Sequence, residues 1–587
     1  MTLVRALALM LLAAQTAQAQ VRDRTASATA ASGTAAIVGT VMSDTQPSRP
    51  VRRVAVTVTC PDPFVGRTII TDDAGRFSAT NLPAGRYSIS ATKRGWVNTT
   101  YGAKAPGRAG RSIALADGER ATASMRMSRG AVITGTVLDP SGLPPTGLTI
   151  RVMRYSYAFN TGERRLAPLP SSNTWGPDDR GMYRVWGLAP GEYYVAASAP
   201  QPFDPGRELH LTTDVDVQNA VRETQTPGAA AADVEQPSVG IAPIYYPGVA
   251  NAAQAGAITL RAGEERAGVD FAIQYVKAAH VEGTVAVPGS DDGVPPGTQV
   301  NLVSADPSLP GFGFEALRSV RTRMDGRFDF ADVTPGRYVL AALSSVPSGT
   351  PDVPPRVLSV SNDIEVQGED MRGIALTLQE GFTVSGVLRV EGTSPPPAFT
   401  SMRVSLQPVL SASAMAISAS AASVTPDGHF TIRGITPGRY RLIAFAGTAQ
   451  SPWSTRSTTV DGRDALDAPI DLRQGTDGAV ITLTDRPAEV RGRIDGAATD
   501  YTVLLFSDNR AHWIPPSRRI LTSRAASDGS FQFKNVPPGE YYMAALEDLE
   551  PGEWFDPALL QRVMSSAIKI TIADGEKKVQ DLKSGGG

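Results

Sequence analysis

The chain has 587 residues, of which 42% are hydrophobic and 19% charged, and its formal net charge is −2. This length exceeds what one hydrophobic core supports, and the composition is that of folded domains rather than of a disordered chain. No basic block is longer than a few residues. The charge balance therefore argues against nucleic acid as a partner, because phosphate binding needs a concentrated positive surface.

The N-terminus has the pattern of a secretory signal. Arg5 supplies a positive first region, residues 6–14 are apolar, and Ala17–Ala19 fits the rule of small residues at a cleavage site. We expect a signal peptide over residues 1–19 and a linker over 20–33. No later stretch approaches the roughly 18 to 20 continuous apolar residues of a membrane helix, so we expect no membrane span in the mature chain. These features predict export, to the periplasm or outside the cell.

The single cysteine, Cys60, allows no intrachain disulfide even in an exported protein. It ends a run in which Val54, Val56, Val58 and Cys60 stand at every second position. This period of two predicts a strand with the thiol on its buried face. A reactive or intermolecular thiol is the alternative.

One hairpin motif occurs five times along the chain. Its fourth copy reads DGHFTIRGITPGRYRLIAFA, and in every copy an aromatic residue stands two positions after a first glycine. A branched aliphatic follows five positions later, then a turn glycine and, two positions on, a tyrosine. This fixed internal spacing indicates one supersecondary unit used five times. The tyrosines are Tyr87, Tyr193, Tyr338, Tyr440 and Tyr541.

Two features of the hairpin predict its geometry. The residue before the aliphatic is of a type that tolerates left-handed backbone, so we expect a bulge or corner there. The returning strand reads Tyr-x-aliphatic-x-Ala, which predicts a buried face. We interpret its tyrosine as a core ring whose hydroxyl bonds nearby backbone, with a ligand contact as the alternative. The residues expected at the bulge are Asn81, Gly187, Asp332, Gly434 and Asn535.

A second motif, of the type VxGxV, precedes each hairpin and opens each unit. Roughly seven short strands per hundred residues, with no convincing helix, predict an all-β chain of five tandem seven-stranded β-sandwich domains, Ig-like or prealbumin-like. The surplus of the second domain, around residues 200–243, predicts a long loop insertion. Short connections predict an elongated shape. The predicted domains, called units 1 to 5, are residues 34–128, 129–278, 279–380, 381–486 and 487–583.

The combination of VxGxV, DxxGxF and PGxY motifs resembles the carboxypeptidase regulatory-like domain, over nearly the whole mature chain. That resemblance implies a prealbumin-like fold of the carbohydrate-binding-like group, related to the Cna B-type repeats of bacterial surface proteins. It implies fold more than function, because this domain is usually an accessory.

Two activities associated with this family lack their residues here. Peptidases that carry the domain hold zinc with a His-x-x-Glu pair, and no histidine of this chain has Glu three residues on. Units 3 and 4 have no lysine between Lys277 and Lys534, so they cannot form the isopeptide bond of Cna B-type repeats. We therefore expect no catalytic residue, no metal site and no cofactor. The four histidines are His210, His280, His429 and His512.

Aromatic residues recur in the loop that follows the returning strand. Rings in such loops can stack on sugars or anchor a protein partner. The alternative is that each ring caps the end of its own sandwich. Unit 3 has no ring at this place. The candidate ligand-binding residues are Tyr101, Tyr245, Tyr246, Trp453 and Trp554.

These patterns predict a non-catalytic, exported bacterial protein that acts as a scaffold or binding protein in the envelope or outside the cell. Its expected partner is a polysaccharide or an envelope protein. Two alternatives stay open: a carbohydrate-binding protein that uses the loop aromatics, and a regulatory subunit of an envelope peptidase.

Overall fold

The structure is a computed structural model, and the predicted signal peptide and most of the linker lie outside its described residues. The described residues are 33–108, 110–145, 147–158, 162–169, 176–199, 212–225, 238–287, 298–305, 317–346, 356–409, 421–445, 453–495, 501–547 and 549–583.

Strands make up most of the described residues, and we number them β1 to β44 in chain order. Unit 1 contains β1–β8: Ala35–Ser43, Ala55–Pro61, Phe64–Ile70, Arg76–Leu82, Gly85–Thr92, Thr99–Thr100, Ile113–Leu115 and Arg120–Met127. Unit 2 contains β9–β19: Ala131–Leu138, Thr149–Tyr157, Arg164–Pro168, Met182–Leu188, Gly191–Ser198, Val239–Ile241, Ile244–Tyr245, Ile258–Leu260, Glu265–Arg266, Phe271–Ala272 and Tyr275–Lys277. Unit 3 contains β20–β27: Ala279–Ala286, Gln299–Ser304, Leu317–Arg321, Arg327–Val333, Gly336–Val346, Arg356–Val366, Met371–Thr377 and Gln379–Glu380.

The last two units continue the same arrangement. Unit 4 contains β28–β36: Phe382–Glu391, Arg403–Pro408, Ala421–Ser423, His429–Ile435, Gly438–Phe445, Ser454–Val460, Arg463–Asp464, Ile470–Leu472 and Thr476–Thr484. Unit 5 contains β37–β44: Ala488–Asp495, Tyr501–Ser507, Ile520–Arg524, Ser530–Val536, Gly539–Glu547, Ile568–Ile572, Lys577–Val579 and Leu582–Lys583. The α-helices are α1, Asp214–Gln225, and α2, Pro557–Met564.

The five units share a common set of strand pairings, although the outer strands of their sheets differ. The VxGxV strand (β1, β9, β20, β28, β37) pairs antiparallel with the first hairpin strand and parallel with a strand near the end of its unit. The second hairpin strand belongs to the opposite sheet, where it pairs with the second strand of the unit. The apolar faces of the two sheets enclose a hydrophobic core in each unit. The all-β sandwich fold is thus confirmed, whereas the unit boundaries stay a prediction.

The predicted geometry of the hairpin is confirmed in every copy. The residue before the aliphatic has a φ between 54° and 83°, and the pairing with the VxGxV strand shifts register there. Each repeat tyrosine donates its hydroxyl to the carbonyl oxygen four residues earlier, over 2.7 to 2.9 Å. The tyrosine therefore fastens the hairpin turn from inside the sandwich. Cys60 is buried, as the alternating pattern predicted.

The glycine of the VxGxV motif has a steric role that the pattern alone does not explain. It lies where the strand crosses close to its parallel neighbour. A Cβ atom on this glycine would lie 1.9 to 2.1 Å from a carbonyl oxygen of that neighbour in all five units. Only glycine fits this approach. The oxygens belong to Ala123, Val269, Ile374, Ala479 and Gln580.

The prediction that the chain lacks helices is wrong at two places. Helix α1 lies within the segment predicted to be a long loop. Its first turn is fixed by a capping box, in which Thr213 N–H donates to the Asp216 carboxylate and Asp216 N–H donates to Thr213 Oγ1. In α2 the Asp556 side chain accepts from Ala558 N, and three apolar residues of the helix are buried. Both helices are short, 12 and 8 residues, and each lies between segments with the alternating pattern of β-strands. Their helical pattern is therefore difficult to recognise in the sequence.

Unit 1 contacts unit 5, so the two end units meet. Arg108 forms a 2.9 Å ion pair with Glu550, and Arg86 Nη2 donates to the Ser530 carbonyl oxygen over 3.0 Å. The chain folds back on itself, and the elongated shape predicted from short connections is wrong. Sequence spacing could not indicate this closure, because the contacts join residues 442 and 444 positions apart.

We expect small-angle scattering to give a maximum dimension well below that of five sandwiches in a row. The double variant Arg86→Glu/Arg108→Glu places like charges against unit 5 and is expected to increase this dimension. Arg76→Glu, at the exposed first residue of β4 in unit 1, is the control and is expected to leave it unchanged. A wild-type scattering curve of an extended rod would contradict the closure.

Candidate binding cleft

Two of the candidate aromatic residues are core residues, which corrects their assignment as ligand contacts. Tyr245 is 1% exposed and lies in β15, paired with the returning strand of its hairpin. Trp453 is 6% exposed and donates its indole N–H to the Pro395 carbonyl oxygen over 3.0 Å. A sugar cannot stack on either ring without opening the sandwich. These two rings fill the ends of their units, as the alternative interpretation proposed.

The other three candidates are partly buried, and each packs against residues of its own unit. Tyr101 packs against the core of unit 1 and beneath the Arg111 guanidinium, 5.4 Å from its ring centroid. Tyr246 packs edge-on against Phe271 at a centroid distance of 6.4 Å. Trp554 packs against a hydrophobic cluster of unit 5. The contacts that describe these three rings thus lie within their own units.

A different pair of aromatic rings lines a cleft between units 1 and 2. Trp96 follows β5 of unit 1, and Trp186 lies on β12 of unit 2, just before the hairpin bulge. The cleft has a volume of about 520 Å³. Its size suits part of a chain-like ligand rather than a single ion.

Cationic side chains surround these rings. Lys93 and Arg94 come from the turn after β5, and Arg154 comes from β10 in unit 2. The Arg94 guanidinium lies over the Trp186 ring, 5.1 Å from its centroid, and thereby joins the two units. This cation–π contact fixes the position of a charged group at the cleft.

The hairpin of unit 2 contributes Leu188, Ala189 and Tyr193 to the lining of the cleft. Tyr193 is 2% exposed and donates its hydroxyl to the Ala189 carbonyl oxygen over 2.7 Å. Burial raises the pKa of Tyr193, although the nearby Arg154 lowers it in part. The ring is therefore a neutral structural support and not an acid or base at ordinary pH.

A second cavity, of about 460 Å³, lies between units 1 and 5. Its described lining consists of small residues, Leu115 and the acidic residues Glu119 and Asp528, with no aromatic ring. Within the described part of the chain, no three or more His, Cys, Asp or Glu residues come together as metal ligands. The cleft with two indoles is thus the better candidate for recognition of a ligand.

Sequence reasoning missed this cleft for a physical reason. Its charged and aromatic residues come from two units, and no fixed spacing relates them. Aromatic residues that recur at one position of the repeat fill the ends of the sandwiches, because a recurring residue serves the structure that all units share. Trp186 and Arg94 each occur in a single copy of the repeat, which is what a site specific to one junction requires.

Residues 36–128 match the family model of the carboxypeptidase regulatory-like domain. This match covers unit 1, from the VxGxV strand to the parallel strand that closes its sheet. Unit 1 is a carboxypeptidase regulatory-like domain. The antiparallel pairing between the VxGxV strand and the first hairpin strand of unit 1 recurs in units 2 to 5. A comparison with curated protein sequences finds no match.

Several solved structures resemble the chain in part. A streptococcal ancillary pilin is 14% identical, with 59% of this chain and 98% of the pilin covered and a TM-score of 0.21. The major pilin subunit BcpA of Bacillus cereus is 9% identical, with 59% and 99% covered and a TM-score of 0.15. A candidate carbohydrate-binding protein of Pseudomonas aeruginosa is 20% identical, with 17% and 88% covered and a TM-score of 0.14. At these identities and TM-scores the resemblances carry no inference about function.

None of the helices in the described residues has the length and apolar character to cross a membrane.

Proposed function

We propose that the protein is an exported, non-catalytic binding protein whose first two units hold a polysaccharide in the cleft between them. Units 3 to 5 then act as a scaffold, and unit 5 holds unit 1 in place through the contacts of Arg86 and Arg108. The observation that carries this proposal is that Trp96 of unit 1 and Trp186 of unit 2 line the same cleft. Flat apolar rings suit the C–H faces of sugars, and hydrogen-bonding groups around them give orientation.

The polar groups of the repeat support a non-catalytic role. The conserved spacing of each hairpin is accounted for by turns, bulges and tyrosine hydrogen bonds. The described histidines are used in local contacts: His280 Nδ1 lies 3.2 Å from an Asp329 carboxylate oxygen, and His512 Nδ1 lies 2.9 Å from Ser507 Oγ. Neither arrangement places a nucleophile and a base together at the cleft.

The test is affinity electrophoresis through gels cast with a panel of soluble neutral and acidic polysaccharides. We expect at least one polymer to retard the wild-type protein, and the variant Trp96→Ala/Trp186→Ala to lose at least about tenfold in affinity because the stacking surface is removed. Phe64→Ala is the matched control, since this ring is 78% exposed on unit 1 and outside the cleft. Trp96→Phe keeps a ring in place and is expected to retain part of the affinity.

A further variant separates the cleft from the loop aromatics. Tyr246→Ala/Trp554→Ala is expected to bind like wild type. Loss of binding in this variant, with the cleft variant unaffected, would move the site to the loops. No retardation by any polymer would overturn the proposal.

A further inference from the structure

We infer that the ligand of the cleft is an acidic glycan, a polysaccharide whose sugars bear carboxylate or sulfate groups. This inference rests on the proposed function and specifies its ligand class. It comes from the charges at the cleft, which neither the family match nor the repeat predicts.

The described lining of the cleft contains three cations, Lys93, Arg94 and Arg154, and no aspartate or glutamate. No ion pair involves any of these three side chains within the described part of the chain. At the contact between units 1 and 5, by comparison, Arg108 is neutralised by Glu550. A net charge of −2 over the whole chain makes this local excess of positive charge notable. Such a cleft attracts an anion and gains stability when one enters.

The geometry leaves hydrogen-bonding edges available at the guanidinium groups. The Arg94 guanidinium carbon lies over the Trp186 ring, 5.1 Å from its centroid, and a guanidinium group can form paired hydrogen bonds with a carboxylate or sulfate. The Arg154 guanidinium packs close to Gly107. A Cβ atom added to Gly107 would lie only 3.1 Å from Arg154 Nη2. Both groups are held by packing before any ligand binds, which lowers the entropic cost of binding.

The neighbouring groups favour a glycan over an acidic peptide. The cleft presents two indole rings together with the amide of Asn98 and the hydroxyl of Thr92. Rings accept the flat faces of sugars, and amide and hydroxyl groups bond sugar hydroxyls. Cations beside these rings complete the set of contacts for a sugar that carries an acid group. Arg94 lies over the Trp186 ring and Arg129 over the Trp96 ring, and both rings stay partly exposed beside these cations.

The inference is tested by binding to polygalacturonate, dextran sulfate and neutral dextran, each at low and high salt. We expect the wild-type protein to bind at least one acidic polymer at least tenfold more tightly than dextran. Arg94→Gln/Arg154→Gln is expected to lose at least tenfold in affinity for that polymer and to reduce the salt dependence. Arg433→Gln, an exposed arginine of unit 4, makes a comparable change outside the cleft and is expected to bind normally.

The outcomes separate the ligand class from the site. Tight binding of polygalacturonate alone identifies carboxylate, and tight binding of dextran sulfate alone identifies sulfate. Equal binding of neutral and acidic polymers, lost in the tryptophan variant and kept in the arginine variant, would overturn the acidic class and leave the proposed function standing. Acidic-polymer binding that no cleft variant alters would overturn both. Hydrogen exchange of units 1 and 2 in each variant shows that a loss of binding does not reflect unfolding.

Discussion

Replacing Gly39 with alanine is expected to destabilise unit 1 by about 3 kcal/mol or more. The added Cβ would lie 2.1 Å from the Ala123 carbonyl oxygen and 2.5 Å from the end of the Phe77 ring. The ring can turn aside, but the carbonyl belongs to the parallel neighbour strand, so the strands must separate. Hydrogen exchange measured by mass spectrometry is the appropriate readout, because a chain of several domains has no single free energy of unfolding. Peptides of unit 1 should lose protection.

Gly66→Ala provides the matched control in the same unit. Gly66 also lies in a strand, β3, but no atom lies within 4 Å of its added Cβ. Alanine is expected to change the stability there by less than about 1 kcal/mol, with a small gain from the lower entropy of the unfolded chain. Equal protection of unit 1 in the Gly39 and Gly66 variants would show that the close approach of β1 and β8 does not limit stability.

Replacing Asp467 with alanine is expected to cost about 3 kcal/mol at the contact between units 4 and 5. The Asp467 side chain is 6% exposed and accepts hydrogen bonds from Arg518 and, over 2.6 Å, from Arg519. Removing the carboxylate leaves two partly buried cations without their counterion, which costs far more than the loss of an exposed ion pair. Hydrogen exchange of residues 514–520 and 463–468 is expected to increase.

The control is Asp471→Ala, which removes an exposed ion pair with Arg473 in the same unit. Its expected effect is below about 1 kcal/mol. If the two variants cost the same, Asp467 does not stabilise the contact between the units.

The same carboxylate gives the contact a defined pH dependence. Burial alone raises the pKa of Asp467, but hydrogen bonds and charge from Arg518 and Arg519 outweigh burial and lower the pKa below its ordinary 3.8. A lowered pKa means that the stabilisation is present above pH 3.8 and is lost as the pH falls through the lower, folded-state value. Protection at the contact is therefore expected to be constant at neutral pH and to fall only in stronger acid.

Local chemistry made most of the fold predictable. Asn81, Asp332 and Asn535 share a tolerance for left-handed backbone, and this property located the bulge before any strand pairing was known. The alternation of apolar residues placed Cys60 in the core. Such features act within one hairpin, so a repeated spacing reveals them.

The contacts between units were not predictable in the same way. The pairing of Arg94 with Trp186 depends on how two sandwiches meet, and the contact of Arg86 with Ser530 depends on the whole path of the chain. The repeated ring position predicted Trp453 as a ligand contact, although repetition there reflects the filling of a sandwich end. Repetition reports shared structure, whereas the candidate site uses residues that differ from unit to unit.

The most direct test of ligand binding at the cleft is fluorine NMR of protein labelled with 5-fluorotryptophan. The chain has six tryptophans, so six resonances can be assigned with single Trp→Phe variants. On addition of a galacturonate oligomer or a sulfated oligosaccharide, the resonances of Trp96 and Trp186 are expected to shift together with one binding curve. Shifts confined to Trp453 or Trp554, or no shift with either ligand, would contradict binding of an acidic glycan between units 1 and 2.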